Sequence, residues 1–112
     1  MLKENNQTER LDILHLTLSQ IPPGKITTYG ILAKYLGLNY TARSVGRALG
    51  KLPSDSMLPW HRVIPASGSL NIPEYSISGK IQRERLQSEG IVICNNKVNV
   101  RQYNWQLIEN KR

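Results

Sequence analysis

An indole, an imidazole and a guanidinium follow one another in a short segment near the middle of the chain, Pro59-Trp60-His61-Arg62-Val63. Pro59 and Pro65 restrict the backbone on either side of these groups and argue against a helix. Two interpretations are open on chemistry alone. The segment is either a buried strand with Trp60 in the core, or a site built around the three polar side chains.

Other groups that could react are few. Cys94 is the single cysteine, which excludes an internal disulfide and a cysteine-based metal cluster. It lies in an apolar run without a neighbouring base, where a thiol behaves as a small hydrophobe. His15 lies among apolar residues and is predicted to be structural. No group of His, Cys, Asp and Glu has metal-ligand spacing, so we expect neither a metal nor another cofactor.

The charge of the chain indicates its class of partner. Its 112 residues carry 15 basic and 8 acidic side chains, a net charge of +7. Residues 25–62 contain six basic residues and Asp55 alone on the acidic side, a net charge of +5. Such a concentration favours a polyanion, above all nucleic acid, although a merely basic soluble surface would look similar.

Length and hydropathy suggest one domain over residues 1–112, with 39% hydrophobic residues. No apolar run approaches the roughly 18 residues of a membrane span. The first ten residues are polar and do not resemble a signal peptide. We therefore expect a cytoplasmic protein without membrane contact.

The first half of the chain predicts three helices. Thr8 can cap the first, whose apolar stripe is followed by the stop Pro22-Pro23-Gly24. A second helix begins at Thr27 or Thr28 and ends at Gly37, and a third runs from Thr41 to about Leu49. The residues expected to face inward are, for the three helices in turn, Leu11, Leu14, Leu18 and Ile21; Ile31, Leu32, Tyr35 and Leu36; and Val45, Ala48 and Leu49. The second and third helices, joined by Leu38-Asn39-Tyr40, read as a helix-turn-helix.

The second half is less regular. A polar connector over 51–57 leads to the Trp60 segment, and a Ser- and Gly-rich loop covers 66–79. Lys80 to Ser88 is predicted to be helical, ending at Gly90. Two short β runs, 91–94 and 97–100, flank Asn95-Asn96 and predict a β-hairpin.

Several motifs together resemble one family, the O6-alkylguanine-DNA alkyltransferases. The Trp60 segment, continued by Ile64-Pro65-x-Ser67-Gly68, is similar to their Pro-Cys-His-Arg-Val active-site segment, with Trp60 at the nucleophile's position. That exchange is the signature of the alkyltransferase-like proteins. Three further stretches resemble the family in the same order along the chain: Ile21-Pro22-x-Gly24-Lys25-x-Thr27-Thr28-Tyr29-Gly30, Ala42-Arg43-x-Val45-Gly46-x-Ala48-Leu49 and Leu86-x-x-Glu89-Gly90.

The resemblance implies a fold and a mode of binding. The fold would be mainly α, a winged-helix-like helix-turn-helix domain of the alkyltransferase C-terminal type with a small β-hairpin. Its second helix would dock in the minor groove of DNA. Arg43 would enter the base stack in place of an extruded guanine, and Tyr29 would press on the 3′ phosphate to rotate the nucleotide outward. The remaining residues expected at the DNA surface are Thr28, Thr41, Ala42, Ser44, Gly46, Arg47 and Lys51.

The resemblance also implies a lesion pocket with Trp60 as its floor. We expect its other residues to be Tyr29, His61, Arg62, Ser67, Pro73 and Tyr75. His61 and Glu89 occupy the positions of the alkyltransferase proton relay, and we expect them to form a hydrogen-bonded scaffold. Alkyl transfer needs a thiolate, which an indole cannot replace.

Two other departures accompany the missing thiolate. Leu52 stands where the alkyltransferases carry an Asn. The chain also has no room for their amino-terminal domain, so the binding module is expected to stand alone as a monomer.

The sequence therefore predicts a non-enzymatic DNA-damage sensor. It would bind and flip O6-alkylguanine in double-stranded DNA and flag it for nucleotide-excision repair proteins. Two alternatives are a glycosylase-like enzyme that uses the same pocket, with Glu89 as its candidate group, and a plain helix-turn-helix transcription regulator.

Overall fold

Five helices and four short strands form the part of the chain that the computed structural model describes, residues 13–37 and 39–106. Helix α1 covers 13–19 within this part, and its predicted start at Thr8, with Leu11, lies outside the described residues. The other elements, in chain order, are β1 (Thr27–Thr28), α2 (Tyr29–Leu36), α3 (Ala42–Gly50), a 3₁₀ turn (Trp60–Arg62), β2 (Val63–Ile64), α4 (Ile77–Ser88), β3 (Ile93–Cys94), β4 (Lys97–Val98) and α5 (Val100–Tyr103). The prediction of a mainly helical domain with a small hairpin is confirmed.

Capping residues determine where helices α2 and α3 begin and where α2 ends. The Thr28 side chain accepts a hydrogen bond from Ile31 N at 3.1 Å, and Thr41 and Ser44 form a reciprocal capping box with bonds of 3.0 and 2.9 Å. Gly37 ends α2 with a φ of 89°. The two helices pack on each other and form the predicted helix-turn-helix.

The first core cluster joins α1 to this helix pair. Its buried members are Leu14, Leu18, Ile21, Leu32, Ala33, Val45, Leu49 and Val63. The prediction that Ile31 and Tyr35 face inward is wrong, since they are 43% and 49% exposed. These two lie four residues apart on one side of α2, whereas Leu32 and Ala33 occupy the side that meets the core.

A parallel pairing that the sequence did not reveal anchors the Trp60 segment. β1 pairs with β2 in the register Thr27↔Val63 and Thr28↔Ile64. The prolines prevent an α-helix here, but they allow one 3₁₀ turn before the strand begins at Val63. The Trp60 segment is thereby fixed beside the first residue of α2.

A second core cluster lies on the other side of β2. Val63 belongs to the first cluster and Ile64 to the second, because successive side chains of a strand point to opposite faces. The buried members of the second cluster are Ile26, Ile64, Leu70, Leu86, Ile91 and Val98.

Helix α4 begins at Ile77, three residues before the predicted Lys80. Ser76 caps it by accepting a hydrogen bond from Gly79 N at 3.0 Å. The preceding loop crosses the first turn so closely that a Cβ at position 79 would overlap the Pro73 carbonyl. Glycine at this position therefore allows the loop to pass.

The predicted hairpin is present but shorter than expected. β3 and β4 pair antiparallel around Asn95 and Asn96, which have φ values of 52° and 63°. Asn99 then caps α5, its side chain accepting from Gln102 N at 3.1 Å, so Val100 is helical. No helix among residues 13–37 and 39–106 combines the length and apolarity needed to cross a membrane.

Candidate functional site

A partly enclosed cavity opens where α2, α3 and the Trp60 turn meet. Tyr29 enters its wall as the first residue of α2, and Trp60 enters as the first residue of the 3₁₀ turn. The other lining residues come from the end of α3, the connector and the segment around the start of α4: Leu49, Gly50, Leu52, Ser54, Ile72 and Ser78. The wall is therefore mostly apolar, with two aromatic rings.

One polar contact closes this wall. Ser54 Oγ and Ser78 Oγ lie 2.9 Å apart and join the connector to the first turn of α4. The sequence offered no signal for this contact, because the two residues are 24 positions apart in segments without periodicity.

Trp60 belongs to the turn against which α4 packs. Its side chain is buried, with 7% of the residue exposed. The Arg85 guanidinium carbon lies 5.9 Å from the centroid of the Trp60 ring, and Arg85 Nη1 donates to Ser56 O at 3.0 Å. Trp60 Nε1 has no hydrogen-bond partner within the described part of the chain.

Next to the cavity wall, a carboxylate organises three segments. Glu89 accepts from His61 Nε2 at 2.8 Å, from Arg62 Nη2 at 2.6 Å and from Gly24 N at 3.2 Å. Arg62 also donates through Nη1 to Ile21 O at 2.6 Å. These contacts tie the Trp60 turn and the end of α4 to the chain before β1.

The ionisation of this network follows from its contacts. Burial would raise the pKa of Glu89, but the hydrogen bonds from Arg62, His61 and Gly24 outweigh it and lower that pKa to about 2. Burial lowers the pKa of His61, assisted by the charges of Arg62 and Arg85 and opposed by Glu89. Both pKa values are lowered, which favours a neutral His61 and an ionised Glu89. In this state His61 donates its Nε2–H to the Glu89 carboxylate.

The His61 imidazole is held at one of its two nitrogens. His61 Nδ1 has no hydrogen-bond partner among the described residues, and Nε2 is engaged by Glu89, so the imidazole contacts neither a hydroxyl nor a thiol there. Cys94 lies exposed in β3 and pairs in register with Lys97. Within residues 13–37 and 39–106, no group of three His, Cys, Asp or Glu side chains could hold a metal ion.

The structure brings only some of the expected pocket residues together. Tyr29 and Trp60 line the cavity, whereas His61 and Arg62 face Glu89. Neither His61 nor Arg62, both expected in the lesion pocket, is among the residues that line the cavity.

The expected loop residues also lie outside the cavity wall. They are Ser67, Pro73 and Tyr75, the last being 81% exposed. Their loop contributes Ile72 to the wall instead, and Ser78 follows from α4.

The residues expected at the DNA surface differ in their exposure to solvent. Arg43 and Arg47 are exposed one turn apart on α3, so both project from one side of this helix. Thr41, Ala42 and Lys51 are also exposed, and Ser44 and Gly46 are half-buried. Thr28 is buried, and its hydroxyl caps α2, so it is not free to meet DNA.

Tyr29 connects the exposed surface of α3 to the cavity. It is half-buried, and burial raises the pKa of its phenol. A Cβ added at Gly46 would lie 3.8 Å from the Tyr29 ring, so α3 packs directly against this side chain. One residue thus contacts both the helix-turn-helix and the cavity.

Arg85 was missed at the level of sequence, although a signal existed. It precedes Glu89 by four residues on the predicted helix, and this spacing places two side chains on the same side. No sequence pattern connects Arg85 with Trp60, because the Ser56 carbonyl that positions its guanidinium lies 29 residues away.

Comparison with known proteins agrees with this geometry. Residues 13–91 match the family described as "6-O-methylguanine DNA methyltransferase, DNA binding domain". The chain is 42% identical over 90 residues to a "DNA base-flipping protein" of Vibrio parahaemolyticus, a match that covers 80% of this chain and 88% of the relative. It is 37% identical over 92 residues to "Alkyltransferase-like protein 1" of Schizosaccharomyces pombe, covering 78% of this chain and 85% of that one.

A solved structure agrees with both matches. S. pombe Atl1 in complex with damaged DNA containing O6-carboxymethylguanine superposes with a TM-score of 0.78 at 34% identity, covering 88% of this chain and 96% of that chain. The fold, the Trp60 segment and these matches lead to one conclusion: the chain belongs to the alkyltransferase-like proteins, relatives of the O6-alkylguanine-DNA alkyltransferases.

Proposed function

We propose that this protein senses alkylation damage by binding double-stranded DNA and flipping O6-alkylguanine into the Trp60 cavity, without transferring the alkyl group. The observation that carries the proposal is the position of Trp60. It forms the cavity wall beside an intact His61–Glu89 pair, where the related enzymes carry their nucleophilic cysteine.

Docking is assigned to α3. Arg43, Arg47 and Lys51 follow one another at four-residue spacing on or at the end of this helix, and all are exposed. The minor groove would receive the helix, with the cationic side chains neutralising phosphates. The structure of S. pombe Atl1 in complex with damaged DNA, at 34% identity to this chain, supports DNA as the ligand.

Flipping is assigned to Arg43 and Tyr29. Extrusion of a base costs a few kcal/mol of lost stacking, and a planar guanidinium in the vacated space recovers part of that free energy. Tyr29 contacts the cavity and packs beside α3, where it can press on the phosphate as the nucleotide rotates. The relative named a DNA base-flipping protein, at 42% identity, supports this role.

The cavity would then hold the flipped base without reacting with it. Two aromatic rings and apolar side chains suit a base and its alkyl substituent. Glu89 holds His61 through Nε2, but an indole stands at position 60 in place of a thiol that His61 could activate, and an indole cannot accept an alkyl group as a thiolate does. The lesion would remain intact and bound, so we propose that the complex, with one protein copy, recruits nucleotide-excision repair proteins.

A paired binding titration tests the proposal. Two duplexes that differ only by O6-methylguanine in place of one guanine should be bound with different affinity, tighter for the lesion. Trp60→Ala should remove most of that difference while leaving binding to the guanine duplex nearly unchanged. Equal affinity of the wild-type protein for both duplexes would refute lesion sensing and favour a plain helix-turn-helix regulator.

A second experiment tests the alternative that the protein is a glycosylase. The same lesion duplex, incubated with the protein and treated with hot alkali, would break at an abasic site if the base had been excised. We expect no breakage, because the Glu89 carboxylate is held by three donors and does not line the cavity.

A further inference from the structure

A positive charge lies against Trp60, one of the residues that line the cavity. The Arg85 guanidinium carbon is 5.9 Å from the centroid of the Trp60 ring, within the range of a cation–π contact. Arg85 itself does not line the cavity, whereas the Trp60 indole that it contacts does. The hydrogen bond from Nη1 to Ser56 O fixes the guanidinium in this position.

This charge is not neutralised locally. Among the described residues, no carboxylate lies within ion-pair distance of Arg85, since both ion pairs of the network use Glu89, with His61 and Arg62 as partners. The charge of Glu89 is balanced by Arg62, and the lowered pKa of His61 favours its neutral form at pH 7. The net charge beside Trp60 is then that of Arg85.

The charge lies in a partly buried environment. Trp60 is buried and Arg85 is half-buried, so the field of the guanidinium is screened less than that of a fully exposed charge. The cavity also contains two hydroxyl groups, on Ser54 and Ser78, which can orient toward a negative ligand.

We infer that Arg85 is a specificity-determining residue that makes the Trp60 cavity favour O6 substituents ending in a carboxylate over neutral substituents of the same size. This inference rests on the proposed function. It assigns charge selectivity to a residue outside the cavity wall.

Two lesions of nearly equal shape test it. Duplexes with O6-carboxymethylguanine and with its neutral amide, O6-carbamoylmethylguanine, differ in charge at one group. The wild-type protein should bind the carboxylate more tightly by roughly fivefold to tenfold, the size expected for unit charges under partial screening. Arg85→Gln should abolish this ratio, and Arg85→Lys should retain most of it.

Lys97→Gln is the matched control. Lys97 is an exposed cation of β4, and its loss should change binding to both lesions by the same factor. Because each result is a ratio between two lesions, a general loss of packing or of DNA affinity cancels.

The outcomes separate the inference from the proposed function. If the wild-type protein binds both lesions more tightly than guanine but equally, or if Arg85→Gln keeps the ratio, the charge role of Arg85 is wrong and lesion sensing stands. If neither lesion is bound more tightly than guanine, the proposed lesion sensing is wrong, and the charge role of Arg85 is wrong with it. The wild-type ratio needs no variant, so the inference stays falsifiable even if Arg85→Gln does not fold.

Discussion

Arg62 Nη2 lies 2.6 Å from Glu89 Oε2, and the same Arg62 side chain donates to Ile21 O at 2.6 Å. One guanidinium therefore connects the 3₁₀ turn to the end of α4 and to the chain that follows α1. Since Trp60 belongs to this turn, the position of the cavity wall depends on an ion pair that does not touch the cavity.

Glu89→Gln should destabilise the protein. The amide cannot neutralise the half-buried Arg62, and breaking an ion pair of this kind costs about 2–4 kcal/mol in the free energy of unfolding. Urea denaturation at pH 7 measures this loss. Glu84→Gln is the control, since Glu84 is exposed on the same helix, and its effect should stay within about 0.5 kcal/mol. Similar losses in both variants would show that the Glu89 network contributes no specific stability.

The stability of the protein should decrease in acid through the same network. The pKa of Glu89 is about 2 in the folded protein against an ordinary 4.5, so its stabilisation is complete above pH 4.5 and is lost as the pH falls toward 2. The pKa of His61 is lowered below 6.5, so below that pH the unfolded chain binds a proton more readily and stability falls further. Unfolding free energies across pH 2–7 should show this decline. In Glu89→Gln, the decline below pH 4.5 should be shallower. An unchanged slope would mean that other carboxylates dominate acid unfolding.

Arg43→Ala should weaken lesion binding more than binding to undamaged DNA. Stacking of a planar side chain in the vacated space contributes roughly 1–3 kcal/mol, and this contribution exists only when a base is extruded. Arg43→Lys should restore little, because an ammonium attracts phosphate but does not stack. Titrations on both duplexes measure the difference, and 2-aminopurine fluorescence beside the lesion reports unstacking. Arg47→Ala, one turn along α3, should weaken both duplexes alike. If Arg43→Ala behaves as Arg47→Ala does, Arg43 is an ordinary phosphate contact.

Incubation with an O6-methylguanine duplex should leave the mass of the protein unchanged and the lesion intact. Trp60 occupies the nucleophile's position, and the single thiol, on Cys94, lies in the hairpin outside the cavity. Intact-protein mass spectrometry and nucleoside analysis of the DNA check both expectations. Cys94→Ser should give the same spectra. A gain of one methyl group that disappears in Cys94→Ser would reveal transfer by an unexpected route.

Local signals in the sequence predicted much of the fold. The caps Thr28 and Thr41 and the stop at Gly37 fix α2 and α3 through contacts within a few residues, so their bounds were readable. The Asn95-Asn96 turn predicted the hairpin for the same reason. The start of α4 was missed because its cap, Ser76, lay in a stretch that composition alone assigned to a loop.

The sequence by itself also determined which group stands at position 60. An indole there lacks a thiolate whatever its surroundings, and the motifs around it indicate the family without reference to any contact. What only the tertiary structure decided are the contacts between distant segments. Arg62 turns away from the cavity to Glu89, 27 residues later, and Ser54 meets Ser78 across the wall. Arg85 reaches Trp60 from a helix that packs on the 3₁₀ turn. Such contacts depend on how helices and strands pack, and neither periodicity nor capping encodes this packing locally.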